Sequence, residues 1–497
     1  MPNPMGAILA RSAVYRRVAL AVLGGLAGFG QAPHDLWYIT VLALAAFLAV
    51  QSKASTSRTI AWNAWAFGAG YFAFSLRWII EPFLVDIARH GWMAPFAIVL
   101  MAAGAGLFWA VFSYLGARII RRAELATCVG LIWAEIVRSL VFTGFPWALL
   151  GHVWIDTGLV HIATIGGPHL LTLATVSIAW AVYALSTGMW RSAVAILALW
   201  AVLAFIMVPP PQTTDDGPII RLVQPNAPQH QKWDPAYRDM FLNRMVSMTG
   251  DGAVPDLIVW PETAVPFLLN YVQSDLSLLD EAARGAPLVF GIQRRDEMQR
   301  YFNSLVVMGA GGTVHDVYDK RHLVPFGEYI PGGELLGRFG IRGLATTDGN
   351  GFASGTGTPM VTVPGIGNAL PLICYEGIFA EEVTTFPERP RMLLLITNDA
   401  WFGQAAGPYQ HLAQARLRAV EQGLPMVRVA NTGVSAMIDP YGRIGAAIPL
   451  NTHDAIDVPL PDALEATIYA RWGDWLVFLV NALLTLGLYL KFHRDRD

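Results

Sequence analysis

Along the first 210 positions the apolar residues do not alternate with polar ones but run together. Seven runs can be marked, at about 16–31, 36–51, 59–78, 92–116, 123–144, 159–186 and 191–208, and an eighth at about 472–490. A bilayer core about 30 Å thick needs about 20 apolar residues in a helix rising about 1.5 Å per residue. The runs therefore predict about eight transmembrane helices. The first two are short and separated only by a hairpin, Gln31 to Asp35, so the pattern marks their ends least sharply. The first run does not read as a cleaved leader, because six further runs follow and no small-x-small site closes it.

Pro209-Pro210-Pro211 stops the seventh run, since proline cannot continue a helix. Beyond it the texture changes to short apolar strands alternating with amphipathic helices. Strands are predicted at Ile219–Gln224, Leu257–Trp260, Leu288–Ile292, Ser304–Met308, Leu370–Cys374, Met392–Thr397 and Met426–Ala430. Helices are predicted at about 235–248, 273–284, 377–385 and 409–422; in the last, Leu412, Ala415, Ala419 and Val420 follow helical spacing. Strands that are apolar on both faces indicate sheets covered by helices, an α/β or α+β layered domain. The organisation read from the pattern is a membrane domain over 1–210, an α/β domain over 211–465, and an eighth helix with a short tail over 466–497.

Charge adds orientation. Every second loop is basic: Arg11, Arg16 and Arg17 precede the first run, and Lys53 and Arg58 follow the second. Arg118, Arg121 and Arg122, then Arg191, and finally Lys491, Arg494 and Arg496 continue the series. By the positive-inside rule both termini and these loops are cytoplasmic, which puts 211–465 on the outer face of the membrane. The chain has only 14% charged residues, against about 25% in soluble chains, which excludes a wholly soluble protein. A net charge of −3 offers no basic surface for nucleic acid. Two cysteines, Cys128 and Cys374, give neither a disulfide framework nor zinc spacing.

Three polar residues stand where predicted strands end. Glu262 follows Leu257-Ile258-Val259-Trp260-Pro261, Lys320 lies in Tyr318-Asp319-Lys320-Arg321-His322, and Cys374 precedes Tyr375-Glu376. Singly each has an ordinary reading: a capping carboxylate, a solvated lysine, a core thiol. Together they meet one chemical need. A thiol is mostly protonated at neutral pH, so a nucleophilic cysteine needs a base and a cation nearby. Glu262 suits the base, Lys320 suits stabilisation of an oxyanion, and Glu328 and Glu376 can hold the lysine or support proton transfer.

These motifs resemble a known family. Trp-Pro-Glu at 260–262, Lys320 with Pro-Phe-Gly-Glu at 325–328, and Cys-Tyr-Glu at 374–376 resemble the Glu-Lys-Cys signature of the nitrilase, or carbon–nitrogen hydrolase, superfamily. Its fold is an αββα sandwich. With seven runs before it and one after, the match narrows to the membrane-embedded apolipoprotein N-acyltransferase branch. Further motifs agree: Gln224-Pro225-Asn226, Lys232-Trp233-Asp234-Pro235, Asn398-Asp399-Ala400-Trp401-Phe402-Gly403 and Asn431-Thr432-Gly433. The resemblance implies Cys374 as nucleophile, Glu262 as general base and Lys320 as oxyanion cation, supported by Glu328, Tyr375 and Glu376. Trp233, Asn303, Trp401 and Arg138 are its candidate substrate-contacting residues. It implies a phospholipid acyl donor, typically phosphatidylethanolamine, a Cys374 thioester, and transfer to the N-terminal amine of a diacylglyceryl-cysteine lipoprotein in the bacterial inner membrane. No cofactor or metal is implied, and one copy carries every named group, which points to a monomer.

Two alternatives stay open on the residues alone. One is a membrane-tethered amidase in which water attacks the thioester; the other is a lipid-binding or transport protein without catalysis. Within the spans, Glu135 and Arg138 lie one helical turn apart and can pair, while the functional reading gives Arg138 a lipid headgroup. The stretch 332–358, with Leu335, Leu336, Phe339, Ile341 and Leu344 among glycines, is expected to form a lid at the membrane surface.

Overall fold

The computed structural model describes residues 4–210, 216–331, 351–357, 359–384 and 388–494. The expected lid, apart from 351–357, lies outside the described residues. The chain divides into two compact units, Met1–Pro210 with Thr467–Asp497, and Pro211–Ala466.

In the first unit a principal helix falls on each apolar run. They are α1 (Pro4–Ala27), α2 (Trp37–Gln51), α3 (Ser57–Ser75), α4 (Ala94–Ile119), α5 (Ala123–Leu140), α6 (Ala163–Ser186) and α7 (Trp190–Ile206), with a last helix, Trp475–Arg494, on the eighth run. Among the described residues four helical segments are long and apolar enough to cross a membrane: Ser12–Gly30, Ile87–Ile119, Ala123–Thr143 and Gly158–Ser186. That is fewer than the expected eight: Trp37–Gln51, Trp190–Ile206 and Trp475–Lys491 are apolar but short, and the 19-residue α3, which carries Arg58 and Asn63, is not apolar enough. The 15 residues of α2 and the 17 of α7 rise only about 22–26 Å, short of the bilayer core.

Small residues let these helices touch. A Cβ on Gly24 would lie 1.9 Å from the Phe67 carbonyl oxygen, and one on Gly70 would lie 1.8 Å from that of Ala21. The α1 and α3 backbones thus meet at glycines, as apolar helices without a hydrophobic drive between them require. Between α5 and α6 the backbone is irregular, so its polar groups need partners. Glu135 and Arg138 supply them. Glu135 accepts from Trp109 Nε1 at 2.9 Å, from the Leu150 amide at 2.9 Å and from Arg138 Nη2 at 3.1 Å. Arg138 also donates to the carbonyls of Phe145 and Trp147. Both side chains are buried, and these bonds tie the irregular segment to α5.

The second unit contains, in chain order, β1 (Ile219–Gln224), α8 (Arg238–Gly250), β2 (Leu257–Val259), α9 (Gln273–Ala283), β3 (Leu288–Arg295), β4 (Tyr301–Gly309) and β5 (Thr313–Asp319). There follow β6 (Val361–Val363), β7 (Gly367–Ile373), β8 (Met392–Thr397), α10 (Gly407–Gln422), β9 (Met426–Ala430), β10 (Ser435–Ile438), β11 (Ile444–Ile448) and β12 (Asp454–Pro459). Two six-stranded sheets form, in the orders β12-β1-β2-β3-β4-β5 and β11-β10-β9-β8-β7-β6. In each the central strands β1-β2-β3 or β7-β8-β9 run parallel and the flanking ones antiparallel.

Alternation along each strand decides the layers. Leu257 and Val259 from one sheet pack with Met392, Leu394 and Ile396 from the other in a shared core. Ile258 faces the opposite way, against Met245 of α8 and Leu279 of α9, while Leu393 and Leu395 meet Leu412 and Ala415 of α10. The order of layers is helix, sheet, sheet, helix. Each fully buried aliphatic side chain contributes about 1.5–3 kcal/mol against the entropy of ordering the chain.

One expected element is corrected. No α-helix forms over 377–384; the chain makes a single 3-10 turn, Cys374–Ile378, and then irregular turns. The Glu376 carboxylate folds back to accept the Ile373 amide at 2.7 Å, and Cys374 itself takes φ +52°, outside the helical region. The chain then turns extended at Phe379, whose ring packs on His322 and Tyr375.

Candidate active site

Glu262 enters through the turn after β2. Trp260 pins that turn by donating Nε1 to Thr249 Oγ1 at 2.8 Å, and Gly291 of β3 closes on it from beside. A Cβ on Gly291 would stand 2.6 Å from Glu262 Cα and 2.3 Å from the Thr263 nitrogen, so only glycine admits the approach. Lys320 is the residue after β5, and its amide bonds to the Asn303 carbonyl of β4 at 2.9 Å. Glu328 closes a loop in which its Oε2 accepts from the Val324 amide at 2.8 Å.

These side chains meet. Lys320 Nζ donates to Glu328 Oε1 at 2.9 Å and lies 3.7 Å from Glu262 Oε1. Asn303 Nδ2 bridges the two carboxylates, at 2.7 Å from Glu262 Oε1 and 3.1 Å from Glu328 Oε1. All four are buried. Burial works against the Lys320 ammonium, but Glu328 and Glu262 overcome it and hold the lysine protonated well above its ordinary range.

Cys374 follows β7 at a turn in the left-handed region, a strain of about 1–3 kcal/mol that sharply turns the chain. Its thiol is buried within electrostatic reach of Glu262 and Lys320. Burial and the Glu262 charge push the thiol up, and Lys320 only partly reverses this. The resting group is therefore the neutral thiol, which must lose its proton to attack.

Glu376 organises the turn beside it. Oε2 accepts from the Ile373 amide, while Oε1 accepts from Tyr318 Oη at 2.8 Å, the Arg321 amide at 2.8 Å and the His322 amide at 3.2 Å. Tyr375 is buried and packs edge-on to Phe379 with centroids 5.0 Å apart. Replacing Glu376 by glutamine turns an acceptor into a donor facing at least one of those donors, at an expected loss of about 1–3 kcal/mol. Burial pushes the Glu376 carboxyl up to about 7 from the usual 4.5, against the pull of those donors and Lys320. A raised folded-state value stabilises fully below about 4.5 and is lost as pH rises through about 7. The gap in thermal midpoint between wild type and Glu376→Gln should therefore narrow from pH 5 to pH 8; a constant or widening gap refutes the assignment.

Two further groups went unassigned by sequence reasoning. Lys232 is buried and donates Nζ to the Glu262 carbonyl at 2.9 Å and to Thr263 Oγ1 at 2.8 Å. Burial brings it down to about 8 against the attraction of Glu262. Beneath Cys374, His411 of α10 reaches the Cys374 carbonyl oxygen through Nε2 at 3.2 Å and Asp399 Oδ1 through Nδ1 at 2.8 Å. Arg428 of β9 donates to Asp399 Oδ2 at 2.6 Å. Burial opposes the Asp399 charge, yet Arg428 and His411 hold its carboxyl well below the usual range. The available signal was one polar residue on the apolar face of a predicted helix, His411 standing four positions before Ala415.

The remaining candidates are dispersed. Trp233 is 42% exposed, with Lys232 Nζ 5.7 Å from its ring centroid. Trp401 is half-buried in the short turn Asp399–Phe402. Asn303, expected to contact substrate, is bonded to the two carboxylates, and Arg138 lies in the first unit among the contacts already described. Among the described residues no group of three or more His, Cys, Asp or Glu is placed to hold a metal ion.

Residues 220–469 match the carbon-nitrogen hydrolase family, and residues 23–181 match the apolipoprotein N-acyltransferase N-terminal domain. The apolipoprotein N-acyltransferase of Rhodopseudomonas palustris is 34% identical over 96% of this chain and 95% of its own. That of Sinorhizobium medicae is 36% identical over 85% of this chain and 84% of its own. Among solved structures, an amidase from Nesterenkonia sp. aligns at 20% identity and a TM-score of 0.39, over 54% of this chain and 98% of that one. On the near end-to-end match to these acyltransferases, with both parts matched in order, the chain belongs to the apolipoprotein N-acyltransferase family.

Proposed function

We propose that this protein transfers a fatty acyl chain from a phospholipid, through a Cys374 thioester, to the N-terminal amine of a diacylglyceryl-cysteine lipoprotein. The observation that carries the mechanism is the buried Glu262–Asn303–Glu328–Lys320 cluster within electrostatic reach of the Cys374 thiol. Glu262 takes the thiol proton as sulfur attacks the ester carbonyl. Lys320, kept charged by its two carboxylates, stabilises the oxyanion. The intermediate collapses with loss of the lysophospholipid alkoxide, which takes the proton back from Glu262. The acceptor amine then attacks the thioester, gives its proton to Glu262, and expels the Cys374 thiolate, which is reprotonated. An amide is far more stable than a thioester, so the second step runs forward.

Glu328 and Asn303 fix the lysine and the base, and Tyr375 and Glu376 support the nucleophile's turn. Trp233 and Trp401 are the aromatic groups proposed to contact substrate. The alternating loop charges support eight helices in the inner membrane, cytoplasmic termini, and the α/β domain on the periplasmic face. Phosphatidylethanolamine is the proposed donor, and a monomer suffices.

Incubating purified protein with phospholipid and no acceptor should leave an acyl adduct on Cys374, read by intact and peptide mass spectrometry. A diacylated lipopeptide should then discharge it to amide. Discharge only to free fatty acid favours the amidase alternative, and a wild-type enzyme that never carries the adduct overturns the mechanism.

A further inference from the structure

The first unit holds a pocket of about 420 Å³ where α2 ends and α3 begins, and its polar lining is Arg16, Lys53, Ser55, Thr59 and Asn63. A pocket of this size lies in the range that accepts small ligands. Basic loop residues next to a membrane are usually solvated, and that reading accounts for Lys53, which is exposed. It does not account for Arg16. Arg16 is half-buried, and its Nε donates to Asn63 Oδ1 at 3.1 Å. Asn63 Nδ2 donates to Gln51 Oε1 at 3.1 Å, and Gln51 Nε2 donates to the Ile60 carbonyl at 3.1 Å. Asn63 and Gln51 are fully buried, so a chain of amides anchored to α3 backbone holds the guanidinium in place. Such fixing lowers the entropy that a ligand's contacts must overcome.

No carboxylate answers these cations from the helices that form the pocket. The single acidic residue in the first 80 is Asp35, which lies beyond the other end of α2, 15 residues of helix away from Lys53. Ser55 and Thr59, around the start of α3, add hydroxyls to the same lining. A guanidinium with its Nη groups still to place and an ammonium, flanked by hydroxyls, together select a tetrahedral oxyanion.

We propose that this pocket binds a phosphate group, carried either by an anionic lipid headgroup or by free phosphate. It belongs to the first unit and does not depend on the assignment of acyl transfer.

The test uses the full chain purified in detergent. Native mass spectrometry follows a diether phosphatidylglycerol, which has no acyl ester to donate, against a diether phosphatidylcholine and against inorganic phosphate. Wild type should retain one more phosphatidylglycerol than the Arg16→Gln/Lys53→Gln variant, with at least a tenfold loss of affinity in the variant. Retention should weaken as salt rises, as an ionic contact requires. Acyl transfer by the variant, unchanged, shows that it is folded. Displacement of that lipid by millimolar inorganic phosphate makes free phosphate an occupant as well; its failure to displace assigns the lipid headgroup. Equal retention of both lipids, and of phosphate, by wild type and variant overturns the proposal.

Discussion

The Cys374→Ala variant should lose acyl transfer by a factor on the order of 10⁴ or more and form no acyl adduct with phospholipid. The expectation rests on placement as much as residue type. Cys374 closes β7 at the entrance to a strained turn, with Glu376 holding the amide before it and His411 holding its own carbonyl. Its surroundings keep the thiol protonated at rest, so it is not a spontaneously reactive thiolate but one that fires only when a base removes its proton. Alanine removes one sulfur atom from a core packed on both sides, a change of about 1–2 kcal/mol that leaves the fold standing. Circular dichroism should match wild type while the adduct vanishes. Transfer retained by Cys374→Ala eliminates the thioester route altogether.

Legibility in the sequence followed how local the cause was. β1, β8 and β9 coincide with the runs Ile219–Gln224, Met392–Thr397 and Met426–Ala430, because a strand buried on both faces writes itself as a continuous apolar run. Five strands were missed: β6 and β10 are only three and four residues long, β12 is mostly half-buried or exposed, and β5 and β11 lack the pattern for the opposite reason. They border their sheets or face outward, and Thr313–Asp319 and Ile444–Ile448 are mostly exposed, without an apolar stripe. The expected helix does not form over 377–384 because the chain turns extended at Phe379, whose ring packs on His322 and Tyr375, and such contacts are not written in the local pattern. Motifs at strand ends singled out Glu262, Lys320 and Cys374, because each stands in a short span of unusual residues. Their partners left no such trace. Asn303 bonds Glu262 across 41 positions, Lys232 reaches it across 30, and His411 meets Cys374 across 37. Contacts of that kind arise from sheet register and layer packing, which no short window of sequence contains.

Glu262→Gln should slow adduct formation by about 10²- to 10⁴-fold, the usual worth of a positioned general base. A carboxamide is nearly isosteric, and its oxygen can still accept the 2.7 Å bond from Asn303. Lys320 remains paired with Glu328 at 2.9 Å, so the cation stays in place. The backbone carbonyl of residue 262 continues to accept from Lys232. What disappears is the capacity to take a proton from a thiol that burial holds in its neutral form. The deficit should therefore depend on pH in a specific way. In the variant, attack draws on the small thiolate fraction set by solvent, which rises about tenfold per pH unit below the thiol's own value. Wild type, supplied by Glu262, should show a flatter profile, and the two rates should converge as pH rises. Apparent affinity for phospholipid should change little, because the removed proton transfer belongs to the transition state. An unchanged acylation rate at neutral pH, or a deficit that does not shrink with pH, would assign the proton to another group.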